Sequence, residues 1–357
     1  MNTKIVVILF QSIVLTILLF GCQGADSPSF TYSLTCNKDD ITSSHLLSIQ
    51  DAKYKISQDS AIVIVEVSKK QEYDKGHLPK AANIWRSDFQ INKAGKTRGL
   101  RCSADTLQDL LRRLGVTEDS FMIIYDAKGS CDALRLAWVL DYYGYEQYAV
   151  MNGGKKAWAD QGGEISLEHY EPTENADFAL QSEENEQILA TLSEVQSAID
   201  DPNTVIIDTR EDYEYRGSCF VSKGELFEFK KGAFSRGSIP SAVHLNWSDL
   251  SDLSTDHRIK CKKNLLHDLQ EKGITKDKNV IVYCHSGARS SHTYFVLKKV
   301  LEFQNVKNYD GSWIEWSHVA SADDTYAIDQ HIGADDFKKE LAKRKLELRQ
   351  NSENTTK

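Results

Sequence analysis

The chain has 357 residues, 41% hydrophobic and 27% charged, with a formal net charge of -9. That length holds two ordinary domains. The acidic balance argues against a nucleic-acid binder, which needs a concentrated basic face for phosphate.

Residues 1–22, MNTKIVVILFQSIVLTILLFGC, carry a Lys near the start, an apolar run from Ile5 to Phe20 and a small residue before Cys22. This is the pattern of a secretory signal. Leu19-Phe20-Gly21-Cys22 is similar to the bacterial lipoprotein box. That similarity implies a lipid on Cys22 and a body held at the membrane on the cell-envelope side, facing the periplasm or the exterior. The alternative is an uncleaved anchor, though the run is short for a full span. Six cysteines remain: Cys36, Cys102, Cys131, Cys219, Cys261 and Cys284. No C-x-x-C pair occurs among them, so a structural zinc site has no support and no metal is expected. An exported chain permits disulfides, but the spacings name none.

After a 23–40 linker the sequence repeats itself. Val63 to Val67 matches Val205 to Thr209, each an apolar run holding an acid near its end, the pattern of a buried parallel strand. Gly76-His77-Leu78-Pro79-Lys80-Ala81 matches Gly237-Ser238-Ile239-Pro240-Ser241-Ala242, and the second copy carries an insertion around Cys219 to Arg236. Helical segments are expected from Thr106 to Leu114 and from Asn264 to Lys272, each followed by a glycine stop. FMIIYDAKGSCDALRLAWVL then lies over NVIVYCHSGARSSHTYFVLK, with Tyr125 against Tyr283 and Gly129 against Gly287. The boundaries expected are 41–166 for the first copy, 167–186 for an acidic linker and 187–320 for the second copy. The tail, 321–357, is read as irregular, then a charged surface helix over Asp335 to Gln350, then a disordered end. Strands alternating with helices predict an α/β fold: two tandem domains, each a central parallel sheet with helices on both faces.

Cys284 falls where a strand ends and a helix begins. Ligands of open α/β sheets bind there, and unpaired N–H groups favour anions and lower a thiol pKa. Gly287 lets the loop curl so that N–H groups point inward. Arg289 offers a cationic fork, and Ser286 and Ser290 offer hydroxyls. Together they predict a cysteine nucleophile in an anion cradle formed by His285, Ser286, Gly287, Ala288, Arg289 and Ser290. A lone cysteine would more often be a small buried hydrophobe; here the whole loop agrees.

C-H-S-G-A-R-S after V-I-V-Y resembles the active-site loop of the rhodaneses, the thiosulfate and mercaptopyruvate sulfurtransferases. The resemblance extends over most of Leu46 to Trp316, including Asp208-Thr209-Arg210 and Asn308-Tyr309-Asp310-Gly311-Ser312-Trp313. It implies a tandem rhodanese in which Cys284 takes a sulfane sulfur as a persulfide and passes it to cyanide or a thiol, with no cofactor. A small sulfur anion is the substrate, and thiosulfate is preferred over mercaptopyruvate because the loop keeps Arg289 and a His285 that can carry charge. It implies a substrate-binding arginine after the strand, where the frame offers Arg210, Glu214 and Arg216. A structural ion pair is the other reading of Arg210. Related phosphatases place five residues between Cys and Arg; here there are four, which leaves a phosphate or arsenate enzyme as the weaker alternative. A non-enzymatic persulfide carrier is the other.

Asp126 stands where the nucleophile should be in the first copy, so that copy is read as silent. Cys131 aligns with Arg289. It is taken as a buried cysteine, against the reading of a second thiol that resolves the persulfide. Asp208 and His77 are read as structural, and Trp313 and Trp316 as packing.

Overall fold

The computed structural model describes residues 41, 43–92, 97–172, 176–181 and 183–355. The apolar leader, Cys22 with its expected lipid, and the 23–40 linker lie outside them. Among the described residues no helix is long and apolar enough to cross a membrane.

Each copy folds around its own parallel sheet. In the first, β1 (Leu46–Leu47), β2 (Ile62–Val67), β3 (Ala81–Ile84), β4 (Phe121–Tyr125) and β5 (Tyr148–Met151) take the order β1-β5-β4-β2-β3. In the second, β6 (Thr204–Asp208), β7 (Val243–His244), β8 (Asn279–Tyr283) and β9 (Val306–Asn308) take the order β7-β6-β8-β9. All pairings within the two sheets are parallel. The second sheet is the first without its edge strand, and a parallel bridge from Leu189 to Asn308 stands in its place. The insertion of the second copy is an antiparallel hairpin, Phe220–Ser222 against Glu225–Phe227.

The apolar runs form strands because both faces are covered. In β4, Met122 and Ile124 point into one core cluster, while Ile123 and Tyr125 point into another. In β8, Val280 and Val282 divide from Ile281 and Tyr283 in the same way. Local signals hold the helices. The helix Ala104–Arg113 starts at Ser103, whose hydroxyl accepts the Thr106 N–H at 3.3 Å, and buries Leu107, Leu110 and Leu111. A second helix, Lys262–Glu271, covers the other sheet, so both expected helices are present within two residues of their expected bounds. The tail helix expected over Asp335 to Gln350 is present and runs over Ala334–Thr355, past its expected end.

The two copies belong to one compact unit. Their seam is a helix pair: α1 (Cys131–Tyr142) lies against α2 (Ala288–Phe295), which continues as a wider turn over Val296–Val300. Every residue of α1 except Asp141 is buried. Its Leu134, Val139 and Leu140 share a core with Val282, Tyr294 and Leu297 of the second copy. A buried charge network crosses the seam. Arg135 donates to Asp310 at 2.6 Å and to the Gly99 carbonyl at 2.8 Å, and the Arg101 N–H donates to Asp310 at 3.0 Å.

Candidate active site

Cys284 directly follows β8 and is 1% exposed. Three devices fold the loop behind it. Gly287 adopts φ +86°, and a Cβ there would meet Asp310 Oδ1 at 2.8 Å and Arg135 Nη1 at 2.9 Å, so only glycine fits. Ser312 sits at φ +52°, a left-handed position that is unusual for a side chain. Its hydroxyl accepts the N–H groups of Cys284 at 3.2 Å and Gly287 at 3.1 Å, which offsets that strain. Finally, the Trp313 N–H donates to the Cys284 carbonyl at 2.9 Å. Ala288 then starts α2, and Ser286 lies against Gly99 of the first copy.

The sulfur is surrounded by donors. The Ser290 hydroxyl lies 3.6 Å from Sγ and 3.1 Å from the Gly287 carbonyl, so its single proton can serve either. Burial works against a thiolate here. The Arg289 guanidinium, the Ser290 hydroxyl and the N–H groups of Ser290 and Ser286 outweigh it and hold the Cys284 thiol below its usual range.

The first copy displays a matching cradle with a carboxylate in it. The Asp126 carboxylate accepts N–H bonds from Lys128 at 2.7 Å, Ser130 at 2.9 Å, Asp132 at 2.7 Å and Ala133 at 3.0 Å. Those positions match Ser286, Ala288, Ser290 and Ser291 of the second loop. Burial and the neighbouring Asp132 push the Asp126 carboxyl up, against the pull of these donors. Where the active loop uses Ser312, the twin has Gly154 at φ +54°, where a Cβ would lie 2.1 Å from the Asp126 carbonyl oxygen.

Beneath each loop a tyrosine ties the sheet to a buried acid. Tyr283 donates to Asp208 at 2.6 Å and accepts the Ile239 N–H at 3.1 Å. Tyr125 donates to Glu66 at 2.7 Å and accepts the Leu78 N–H at 2.9 Å. Each acid also has a cation. Arg210 grips Asp208 through Nε at 2.9 Å and Nη2 at 2.5 Å, reaches the Gly237 carbonyl at 2.7 Å, and packs over Trp313 at 4.5 Å. In the twin Lys155, which occupies the position of Trp313, reaches Glu66 at 2.9 Å and the Gly76 carbonyl at 2.6 Å.

Three expectations about charge meet partners that the sequence does not display. Arg210 follows its structural reading: it is engaged by Asp208 and the Gly237 carbonyl, and Lys155 performs the same task in the first copy. Arg216 carries a half-exposed side chain whose ion-pair contact among the described residues is Asp212 at 3.9 Å, so it is not gathered into the site. Arg289 reaches the site, but its fork is taken: Nη1 and Nη2 donate to the two oxygens of Glu214 at 2.6 and 3.0 Å. Burial opposes ionisation of Glu214, yet Arg289, helped by Lys230 and Arg210, holds its carboxyl well below the usual carboxylate range. Arg289 thus tunes the thiol as a fixed charge and does not offer a free fork to an oxyanion.

His285 also departs from expectation. Burial pushes its pKa down to about 4, so the ring is neutral near pH 7. Nε2 lies 3.1 Å from the Lys231 carbonyl of the insertion, which assigns the proton to Nε2. Cys131 is buried, and burial together with Asp132 drives its thiol far above the normal range, which suits packing and not thiol exchange. His77 stacks on Tyr73 at 3.7 Å, and Trp313 and Trp316 are buried, all in keeping with structural roles. Cys261 is disulfide-bonded. Sequence reasoning missed the parts played by Glu214, Ser312 and Lys230. The Glu214–Arg289 pair spans 75 positions and leaves no local pattern.

Comparison with known proteins identifies the repeated unit. The Rhodanese-like domain family matches residues 48–161 and again 191–318. A sulfur carrier protein, TtuD, of Thermus thermophilus is 31% identical over 250 residues, covering 69% of this chain and 84% of that protein. A thiosulfate sulfurtransferase of Corynebacterium glutamicum is 31% identical over 251 residues, covering 69% and 79%. The fold is shared with the anaerobic ergothioneine biosynthesis enzyme of Chlorobium limicola, at TM-score 0.65 and 19% identity over 81% of this chain and 71% of that one. Two matching domains in one chain, a paired set of Tyr–acid sockets and one cysteine-bearing cradle lead to a single conclusion: the chain belongs to the rhodanese-like family and contains two tandem rhodanese-like domains.

Proposed function

We propose that the protein is a sulfurtransferase that moves a sulfane sulfur from thiosulfate, or from 3-mercaptopyruvate, to a thiophilic acceptor through a persulfide on Cys284. The carrying observation is the pair of loops: the N–H cage that holds a carboxylate in one copy surrounds a thiol of lowered pKa in the other. The Cys284 thiolate attacks the outer sulfur of thiosulfate. The bond between the two donor sulfurs breaks, and its electron pair leaves with sulfite. The persulfide anion then lies among the N–H groups of the loop, which stabilise its charge. Cyanide or a thiolate takes the outer sulfur and returns Cys284 as thiolate. The engagement of Arg289 by Glu214 argues against phosphate or arsenate chemistry, which would need that fork free.

The test is thiocyanate formation from thiosulfate and cyanide, with intact mass of the Cys284 peptide after thiosulfate alone. Gain of one sulfur, and loss of turnover in Cys284→Ala, is the expected outcome. Turnover that survives in Cys284→Ala overturns the reading. The name of the Thermus relative favours a second reading, a carrier that loads sulfur and hands it to a protein. Loading without steady turnover on cyanide or small thiols selects it. The leader sequence and the Cys261 disulfide support an envelope location with lipid on Cys22. Mass analysis of the mature N-terminus tests that location.

A further inference from the structure

The Ser290 hydroxyl has one proton and two acceptors in reach, the Gly287 carbonyl at 3.1 Å and the Cys284 sulfur at 3.6 Å. Distance alone favours the carbonyl. The other neighbours of that carbonyl reverse the choice. A carbonyl oxygen has two lone pairs. The Ser291 N–H takes one at 3.1 Å as the helix begins, and the Ser291 hydroxyl takes the other at 2.7 Å. The Ser290 proton is then a third claimant on a filled acceptor, and the sulfur is left as its partner.

The Ser291 proton is itself fixed. Ser291 is buried, and its oxygen accepts from Arg135 Nη1 at 3.4 Å and from Asn308 Nδ2 at 3.2 Å. With both lone pairs of the hydroxyl engaged, its proton turns to the Gly287 carbonyl. The two donors are anchored in turn. Arg135 comes from α1 of the first copy, is buried, and is held by Asp310 at 2.6 Å and by the Gly99 carbonyl at 2.8 Å. Asn308 is the buried last residue of β9.

The first copy lacks these hydroxyls and this amide. At the positions of Ser290, Ser291 and Asn308 it has Asp132, Ala133 and Val150. Thr293, which holds in α2 the place of Arg135 in α1, has no hydrogen-bond partner for its hydroxyl among the described residues. The arrangement therefore runs in one direction across the seam, from the first copy to the thiol of the second.

We propose that Ser291 is a positioning residue for the nucleophile: held by Arg135 of the first copy and by Asn308, it fills the Gly287 carbonyl and so turns the Ser290 proton onto the Cys284 sulfur. The bearing of this on turnover rests on the sulfurtransferase reading above; the state of the thiol does not. Charged and titratable groups also act on the sulfur: Arg289 and Lys230 from the second copy, Arg86 and Cys131 from the first. The variants below leave all of them in place.

The experiment follows the rate of Cys284 alkylation by iodoacetamide, a small neutral reagent, against pH, with the site located by peptide mass. The rate follows the thiolate fraction, so its midpoint reads the thiol. Ser290→Ala raises the midpoint by about one pH unit, the loss of one hydrogen bond to a charged acceptor. Ser291→Ala raises it by part of that amount, because the Ser290 proton returns to the carbonyl. In the Ser290→Ala background, Ser291→Ala adds nothing, since no proton remains to be turned. Alanine suits both helical positions, so the helix itself stands. A midpoint unmoved by Ser290→Ala overturns the proposal before Ser291 is touched. An unmoved midpoint in Ser291→Ala does so too. Equal shifts from Ser291→Ala in both backgrounds assign Ser291 a merely structural role and overturn the proposal as well. Alkylation needs no sulfur donor. The expected cycle, found in a protein that forms no thiocyanate, upholds the positioning and removes the sulfurtransferase reading alone.

Discussion

Two loops of one backbone, 158 positions apart, separate what the fold supplies from what the chemistry adds. Both loops close on a left-handed residue before the next helix, and both stand on a Tyr–acid socket. The first turns four N–H groups onto Asp126, and the second turns the N–H groups of Ser286 and Ser290 toward Cys284. The side chains differ at nearly every loop position, and three differences bear on the chemistry: Asp126 gives way to Cys284, Cys131 to Arg289, and Gly154 to Ser312. The anion cradle is therefore a property of the fold, present even in the copy with no cysteine at that position. What the second loop adds is a thiol, a guanidinium that lowers its pKa, and a serine hydroxyl that braces the loop.

The comparison breaks most visibly if the loops can be exchanged. Cys284→Asp should fold, hold its new carboxylate with the N–H groups of Ser286 and Ser290, and lose at least ~10³-fold in thiocyanate formation. Asp126→Cys in a Cys284→Ala background should gain no activity, because position 131 lacks a guanidinium. Sulfur loading at residue 126 in that double variant would show that the cradle alone suffices.

Next in size is the ion pair that the twin does not have. Glu214→Gln leaves Arg289 buried without its counter-ion, and denaturant unfolding at neutral pH should register a loss of about 3–5 kcal/mol. The pH dependence has a fixed sign. The folded pKa of Glu214 is depressed, so its contribution is complete above the ordinary carboxylate value of about 4.3 and is lost as pH falls toward the folded value. The variant should therefore show a flatter acid limb. An unaltered slope would mean that Glu214 does not titrate far from its unfolded value.

The smallest effect sharpens the likeness. Tyr125→Phe and Tyr283→Phe each remove a hydroxyl that joins an acid to a backbone N–H, and each should cost about 1–3 kcal/mol. A cost confined to one of them would show that the two sockets are alike in geometry and not in energy.

The repeat, the parallel sheets and the nucleophile loop were legible in the sequence because each is written within a few adjacent positions. The run Val280 to Tyr283, the cysteine after it and Gly287 specify strand, turn and helix start locally. The charges were misjudged because charge is decided by partners. Arg289 reads as a free fork until Glu214, 75 positions away, takes it. His285 reads as a possible cation until the insertion carbonyl of Lys231 and burial fix it neutral. Arg210 reads as a ligand for substrate until Asp208, two positions away, holds it; that answer was near, but the structural reading stood beside a functional one and nothing local ranked them. Lys155 shows the same limit in reverse, since the twin fills the Arg210 socket from a part of the chain that no alignment would compare.

The helix seam has a consequence for the history and handling of the molecule. A chain cut at the acidic linker would expose Leu134, Val139 and Leu140 on one piece and Tyr294 and Leu297 on the other, each side chain forfeiting about 1.5–3 kcal/mol of burial. Arg135 and Asp310 would lose each other at the same moment. Each copy is thus a half in the literal sense, because its helix at the seam is covered by the helix of the other.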